Sequence, residues 1–557
     1  MSSTALSSVR PPLRELTDRT HDTLRRAQPF LATVDGVAGF DHLVPALSKH
    51  AADYYADELR QRRREIEIFA PHTIDEEIAA ETHIAAIDRE LTALDVAAVE
   101  YTVAPVMVDG PTAVLDILAL SHPADSAQAQ AFLDRSAGFA AYLDQHVERL
   151  HAGVDAGRTP VRALVVAALG QVDSALDDPC GLVSSVPAPA AGCPRQWTER
   201  IAVAEAATRA ALARWRDAVA ALPVRDDDRP GLCHLPGGVA DYHRLVALHT
   251  TLEVSESALH AIGTAEVARV SEDIVRLGRS LGLPDLAAVM SALARSWAQS
   301  DSACLQREAV AAIRRAESLL GDAFPDPAPP PCDVRAMPPH LAALGHAPHY
   351  TSPSVDQRRP GTYWFNDQLP QTSGGWSHEA LAFHEAVPGH HLQVTRAQQR
   401  SDLPALQRFG FVTAHGEGWG LYAEVLAGES GLYSSTEAQI GALALQLLRA
   451  ARLVIDTGLH ALGWTRGEAV NWLMGAVALP GAFAVAEIDR YIAVPAQALS
   501  YYVGMQEILD LRAQARSALG TRFALADFHG AVLDNGSIPL PTLGKAVRSW
   551  ISRLEGA

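Results

Sequence analysis

Residues 383–391 read FHEAVPGHH, a His-Glu pair followed by a Pro-Gly step and two more histidines. Zinc-binding helices usually carry His-Glu-x-x-His, because residues four apart lie on one helix face. Here the residue four after His384 is Pro388, which has no donor atom. Pro388 removes a backbone N–H and Gly389 permits an unusual backbone path, so this pair predicts a helix with a two-residue bulge.

The bulge decides which histidine can join His384 at a metal. In an unbroken helix His390 would lie on the wrong face, and His391 would return to the right face about two turns away. A two-residue bulge corrects the position of His390, so we predict His384 and His390 as zinc ligands, with His391 as the alternative to His390. Glu385 adjoins the first ligand and is the predicted general base for a zinc-bound water.

A third ligand is predicted within AHGEGWGLYAE, residues 414–424. Glu417 lies between two glycines at the start of a helical segment, and Glu424 lies seven residues later on the same face. We predict Glu417 as the ligand and Glu424 as the hydrogen-bond partner that orients a ligating histidine. The competing interpretation is an ordinary helix end, because a lone His-Glu pair is structural in most proteins.

The remaining sequence is typical of a large helical protein. It has 557 residues, of which 48% are hydrophobic. In AFLDRSAGFAAYLDQHVERL, residues 131–150, apolar residues recur at helical spacing and predict one amphipathic helix. The only strand predicted is Thr362–Phe365 in RPGTYWFN, and a strand pair beside a cleft would suit peptide docking.

A proline-rich stretch, FPDPAPPPCDVRAMPPH at 324–340, predicts the main boundary of the chain because proline ends helices. We expect residues 1–340 to form a helical front half that builds channel walls. Residues 341–557 are expected to form the catalytic, metal-binding half.

Charge and composition limit the partners. The chain has 65 acidic and 46 basic side chains, a net charge of −19, and no Lys/Arg block, which excludes nucleic acid and anionic membranes as expected partners. The amino terminus lacks the apolar core of a signal peptide, and we expect no stretch with the ~18 uncharged apolar residues of a membrane span. Five scattered cysteines favour reduced thiols, and these features together favour a cytoplasmic location.

Four ordered motifs resemble the bacterial DUF885 family: HEAVPGHHLQ at 384–393, EGWGLYAE at 417–424, RLVIDTGLHALGWT at 452–465 and RYIAVPAQALSYYVG at 490–504. The resemblance implies that the protein is a helical zincin whose fold is similar to those of thermostable carboxypeptidases and oligopeptidases. It therefore implies a mostly α, large helical zincin-like (gluzincin) body with a deep central channel and a small β-sheet beside the active site. It also implies a zinc-dependent peptidase or amide hydrolase, with the metal on His384, His390 or His391, and Glu417, and with Glu385 as the base.

The tail motif departs from the family pattern at two positions. Ala496 follows Pro495, and Tyr502 stands where a lysine is expected. A lysine there could meet a substrate carboxylate, so its absence puts carboxypeptidase-like recognition in doubt. Arg490 remains as a cation for that work.

Further site residues are predicted from their positions in these motifs. Tyr501, and after it Tyr491, are candidate phenolic donors to an oxyanion, although packing is the competing explanation. Asp456 and His460 are spaced to hydrogen-bond each other, either near the substrate or as a buried pair. The predicted substrate-binding residues are Tyr363, Asn366, His460 and Tyr502.

The leading hypothesis is a zinc-dependent hydrolase that cleaves peptide or amide bonds in short peptides, because helical walls around a deep channel exclude folded proteins. One alternative is an amide hydrolase acting on a specialised or modified-peptide metabolite. The other is a non-catalytic binding protein that keeps the channel, and the intact Glu385 argues against it.

Overall fold

The computed structural model describes residues 10–105, 109–190, 192–296, 301–325, 328–338, 342, 347–355, 359–368, 375–477 and 481–556. Two predictions touch residues outside these ranges. The signal-peptide argument uses residues 1–9, and the boundary between the halves falls at 340–341.

The protein is mostly helical, as predicted. Side chains at several helix starts accept a backbone N–H of the first turn, for example Ser48 from Ala51 and Thr73 from Glu76. The α-helices before the sheet are Pro11–Ala27, Pro29–Asp35, Lys49–Glu67, Ile74–Val96, Pro111–Leu120, Ser126–Ser136, Phe139–Asp155, Arg162–Asp177, Trp197–Ala220, Gly238–Thr250, Glu256–Ser280, Leu286–Ser296, Ser302–Glu317 and Leu320–Ala323.

A second set of helices follows the sheet and carries most of the predicted site residues. These helices are His378–Glu385, His390–Gln399, Ala405–Phe409, Thr413–Glu429, Thr436–His460, Arg466–Ala476, Gly481–Ala493, Ser500–Leu519, Leu525–Leu533 and Leu540–Glu555. Short 3-10 turns link several helices, at Ala98–Glu100, Val183–Ser185, Leu232–His234, Gly375–Ser377, Gln497–Leu499 and Gly520–Arg522.

The amphipathic pattern at 131–150 is divided between two helices, not one. The first, Ser126–Ser136, ends shortly before Gly138, and Phe139–Asp155 begins directly after it. The N–H of Gly138 bonds to the carbonyl of Arg135 at 2.8 Å, a tighter turn than an α-helix makes. Both helices bury their apolar faces in the same cluster, so the periodicity persists across the break.

A small three-stranded sheet accompanies the helices. The strands are β1 (Asp333–Ala336), β2 (His349–Thr351) and β3 (Thr362–Phe365), in the order β1-β3-β2. β3 pairs with β1 in parallel and with β2 antiparallel. The prediction of β3 is confirmed. β1 and β2 were missed because strands this short and this polar carry no clear alternation.

The hydrophobic core consists of several clusters. One lies wholly within residues 103–222 and belongs to the front helices. Four others combine residues from both sides of position 340, for example Leu232 with Leu421 and Val270 with Leu447. The division into a wall-forming front half and a catalytic half therefore stays a prediction about roles, because packing crosses the boundary.

One helix, Thr436–His460, has the length and mean hydropathy of a membrane span. It contains Arg449 and Arg452, so it is not the uncharged apolar stretch that the sequence was expected to lack. Its most apolar window is 72% buried inside the protein. The helix contacts Glu256–Ser280 along its length and contributes to the core, which explains its apolar composition.

Candidate metal centre

The FHEAVPGHH stretch forms two helices separated by a break. The helix His378–Glu385 ends at Glu385, and the next one begins at His390. A Cβ at Gly389 would lie 1.8 Å from the carbonyl oxygen of His384, so the chain can take this path only with glycine there. The sequence predicted one continuous helix with a two-residue bulge at Pro388 and Gly389, and this form was wrong. The structure has two helices, and the four residues 386–389 between them are not helical.

The break turns His390 toward His384. The centroids of the two imidazole rings are 4.7 Å apart, and the rings are nearly perpendicular. Oε2 of Glu417 lies 3.5 Å from Nε2 of His384 and 3.6 Å from Nε2 of His390. Ligands of a tetrahedral zinc lie about 3.4 Å from one another, given zinc–ligand bonds of about 2.0–2.2 Å. These three side chains therefore fit one zinc ion, and we call them the His384 cluster.

The neighbouring His391 is used differently, although it is also fully buried. Its Nε2 lies 2.6 Å from the carbonyl oxygen of Pro330, so this nitrogen carries the proton and donates it. Its Nδ1 then accepts the hydroxyl proton of Tyr350 at 3.0 Å. Both nitrogens have protein partners, which leaves His390 as the histidine that meets His384.

Glu424 holds the His384 ring from the side opposite the cluster. Nδ1 of His384 donates to Oε1 of Glu424 at 2.8 Å, the arrangement predicted from the seven-residue spacing to Glu417. Burial lowers the pKa of His384, but its hydrogen bonds to Glu417 and Glu424 outweigh burial and raise the pKa to about 9. The surroundings of His384 therefore favour a positive charge, either a proton or a metal ion.

The glycine after Trp419 has a specific role in this packing. A Cβ at Gly420 would lie 2.5 Å from Cε1 of His384, closer than carbon atoms can approach. The helix Thr413–Glu429 can therefore lie against the imidazole only because this position has no side chain.

The His384 cluster opens into a cavity of about 380 Å³. Glu385 lines the same cavity, and burial raises the pKa of its carboxyl group. Tyr501 also lines it, and burial, together with the negative charge of Glu417, raises the pKa of its phenol. A base and a protonated phenol therefore share one space with the candidate metal ligands.

Four charged residues of this cavity were missed by sequence reasoning. Asp35 ends the helix Pro29–Asp35 and pairs with Arg25 at 2.6 Å. Arg449 and Arg452 lie on the helix Thr436–His460, and Glu487 lies on Gly481–Ala493. The available signal was the presence of two arginines within a mostly apolar stretch, ALALQLLRAARLVI at 442–455, because arginines in such a stretch of a long helix are expected to be buried.

Two predicted catalytic residues lie behind this cavity wall. The guanidinium of Arg490 donates to Oε1 of Gln497 at 2.7 Å and lies 3.3 Å from Glu487. Tyr491 donates its hydroxyl to Glu487 and accepts from Nε of Arg452 at 3.0 Å. Tyr491 thus contacts both Arg452 and Glu487 of the wall, Arg490 contacts Glu487, and neither side chain is part of the cavity lining.

Tyr502, His460 and Asp456 are not brought to the cavity either. Tyr502 donates to Glu266 on another helix. His460 accepts from the N–H of Leu232 and donates to the carbonyl of Tyr491. Asp456 accepts from Tyr242 at 2.6 Å and from the N–H of Ala496, so the predicted Asp456–His460 bond does not form. The hydrogen bonds of each of these side chains are instead made to groups on neighbouring elements.

The two residues predicted from RPGTYWFN also lie outside the cavity lining. Tyr363 is completely buried and close enough to Glu385 for that charge to raise its pKa, after the larger effect of burial. Asn366 donates to the carbonyl of Ala342 and accepts from the N–H of Gln368. Asn366 therefore organises the chain that follows β3.

Together, fold and site define a class: a mostly helical protein with a histidine–glutamate cluster in an internal cavity. The chain belongs to the family described as "Bacterial protein of unknown function (DUF885)", whose model matches residues 29–547. A comparison with curated proteins found no match.

Two solved structures share this fold. The first is the "putative lipoprotein from Colwellia psychrerythraea", with a TM-score of 0.87 and 24% identity over 97% of this chain and 99% of that chain. The second is a "putative lipoprotein of unknown function from Shewanella oneidensis", with a TM-score of 0.73 and 18% identity over 96% and 99%. At these identities the likeness concerns the fold.

Proposed function

We propose that the protein is a zinc-dependent hydrolase that cleaves peptide or amide bonds in short peptides, with a zincin-like arrangement of its site. The observation that carries the proposal is the His384 cluster together with Glu385 in one cavity. A zinc ion bound there would supply a Lewis acid that polarises a carbonyl and lowers the pKa of a water.

The chain's own groups have complementary roles in this reaction. Glu385 accepts a proton from the attacking water and returns it to the leaving amine, and its raised pKa brings the carboxyl closer to neutral pH. The phenol of Tyr501 stays protonated, so it can donate to the oxygen that becomes negative. Glu424 keeps the His384 ring oriented through the Nδ1 hydrogen bond.

The sheet supports a peptide over other amides. Among the described strands β2 lies at the edge of the sheet, and residues 347–350 and 352 line the cavity beside the His384 cluster. An edge strand can bind an extended peptide through its backbone. A cytoplasmic location stays a prediction, and the word lipoprotein describes the two structural relatives.

The test combines metal content with turnover. Tag-free wild type should contain near-stoichiometric zinc by mass spectrometry and cleave members of a short-peptide pool. Glu385→Gln should keep the zinc and lose about 10²–10⁴-fold in rate. Glu379→Gln is the matched control, because Glu379 lies on the same helix but pairs with Arg315 at 2.6 Å.

Well-folded wild type without zinc would contradict the proposal, as would a Glu385→Gln variant that is as active as wild type. Zinc without cleavage of peptides or small amides would favour a binding protein. Cleavage of small amides alone would favour the specialised amide hydrolase.

A further inference from the structure

Two arginines of the cavity wall have buried N–H groups without a partner. Arg449 is only 6% exposed, and its Nε and Nη1 have no hydrogen-bond partner among the residues the structure describes. Arg452 is 7% exposed, and its Nη1 has none within the same residues. Both side chains line the cavity that contains His384 and Glu385. Leaving such charged donors unpaired is costly, so an acceptor from outside the chain is expected.

The charges of this wall also favour an anion. Arg452 and Arg490 share a single carboxylate, Glu487, at 3.0 and 3.3 Å. Arg449 reaches only Glu424, at 3.6 Å, and that carboxylate already accepts from His384. Three guanidinium groups thus face two carboxylates, while Asp35, another carboxylate of the lining, is paired with Arg25 at 2.6 Å. The two charges of a zinc ion would be matched by Glu385 and Glu417, which leaves the excess positive charge on the arginine side.

The position of Arg449 restricts where a bound anion would lie. One oxygen, Oε1 of Glu424, contacts both Nη2 of Arg449 and Nδ1 of His384. Arg452 lies three residues further along the same helix, so the two side chains are neighbours on its surface. Both arginines line the same cavity as His384 and Glu385, so an anion held by this pair would lie in the space where the carbonyl reacts.

We propose that Arg449 and Arg452 bind a free carboxylate of the substrate, so that the protein removes the carboxy-terminal residue of short peptides. In such a substrate only one N–Cα unit separates the scissile carbonyl from the terminal carboxyl group, so both groups can lie within the one cavity that His384, Arg449 and Arg452 line. Guanidinium groups suit this role because they bind carboxylates through paired N–H groups. The proposal rests on the proposed hydrolase function and makes it specific.

This assignment replaces Arg490, the cation selected from the sequence. Arg490 lies outside the cavity lining and already bonds Gln497 and Glu487. Among the arginines that line the described cavity, Arg449 and Arg452 have donors left for a ligand, and they lie at the middle of the helix Thr436–His460 and about one turn after it.

The experiment uses two matched pools of short N-acetylated peptides, one with free carboxyl termini and one with carboxamide termini. Retention of each pool by zinc-loaded Glu385→Gln protein is measured by equilibrium dialysis and mass spectrometry, and cleavage by wild type is measured separately. We expect acids to be retained about 10- to 100-fold more than amides, and cleaved with the same preference. Adding Arg449→Gln to the protein should abolish that preference.

The matched control is Arg512→Gln. Arg512 is 7% exposed, but its donors are satisfied by Glu429 and Tyr422 away from the cavity. This control should lose stability without changing the acid preference. Arg449→Lys provides a second variant should Arg449→Gln fail to fold, and it should reduce the preference because an ammonium lacks the paired N–H geometry.

The outcomes separate the two proposals. Equal retention and equal cleavage of acids and amides would overturn the carboxylate site and leave the hydrolase standing. Acid retention that depends on Arg449, without any cleavage, would support the carboxylate site and contradict the hydrolase. Failure to retain either pool would overturn the carboxylate site.

Discussion

His146, in the helix Phe139–Asp155, and His384, beside the cavity, are both buried, but His146 packs against an aromatic ring whereas His384 lies among carboxylates. His146 is fully buried, its ring stacks on Trp215, and its Nδ1 accepts from the indole N–H at 2.9 Å. Burial lowers the pKa of His146 to about 3. His384 is equally buried among carboxylates, and its pKa is raised to about 9 despite burial. Burial alone therefore does not distinguish a packing histidine from a functional one, whereas the neighbouring charges do.

Loss of metal should separate the two regions most strongly. His384→Ala and His390→Ala each remove a ligand, so zinc affinity should fall by more than the ~10- to 100-fold that loss of an outer partner costs. His146→Gln and His391→Gln should retain zinc at the wild-type level. Zinc content after dialysis against a chelator gives the measurement. Zinc lost from the His391 variant and kept in the His390 variant would exchange the roles of the two neighbours.

Substitution of Glu424 tests whether a carboxylate that contacts a predicted ligand, and not the metal itself, affects zinc affinity. Glu424→Gln keeps an oxygen that can accept from Nδ1 of His384 but removes the charge, so zinc affinity should fall by about 10- to 100-fold. Glu429→Gln, on the same helix and paired with Arg512, should leave it unchanged. Competition with a chelator measures both. Equal affinities in the two variants would remove Glu424 from the site.

Two glycines of one helix sharpen the comparison further. Gly420→Ala would place a Cβ 2.5 Å from the His384 ring, so we expect a loss of about 1–3 kcal/mol of folding free energy and weaker zinc binding. At Gly428 the nearest atom is 3.5 Å away, in Tyr433, so Gly428→Ala should be neutral or stabilise the helix by up to about 1 kcal/mol. Urea unfolding measures the difference, which should have opposite signs at the two positions.

The pH dependence of stability contributed by His146 tests the other side of the comparison. Its pKa is lower in the folded protein, about 3, than the 6.5 of an exposed histidine. Below pH 6.5 the unfolded chain binds a proton that the folded chain does not, so stability falls as pH falls toward about 3, by about 1.4 kcal/mol per pH unit.

His146→Gln keeps an acceptor for Trp215 and removes this titration. The slope of unfolding free energy against pH between about 6.5 and 4 should therefore decrease by one proton relative to wild type. An unchanged slope would mean that His146 titrates normally, and the contrast with His384 would then fail.

The sequence by itself determined the helical class, the strand β3 and the membership of His384, His390 and Glu417 in one group. These inferences worked because helical periodicity, β-branched and aromatic residues, and the fixed spacing of donors are local properties of the chain. The orientation of His384 by Glu424 followed from the same helical geometry.

Tertiary structure alone decided how the cavity is completed. Three features depend on contacts between segments far apart in sequence. They are the donors of Arg449 and Arg452 that have no partner within the described ranges, the hydrogen bonds at both nitrogens of His391, and the hydrogen bond from Tyr502 to Glu266. A side chain's spacing along a helix gives the face on which it lies, but its partner is set by whatever element packs there. For this reason the His384 cluster could be predicted from the sequence, and the charged wall of its cavity could not.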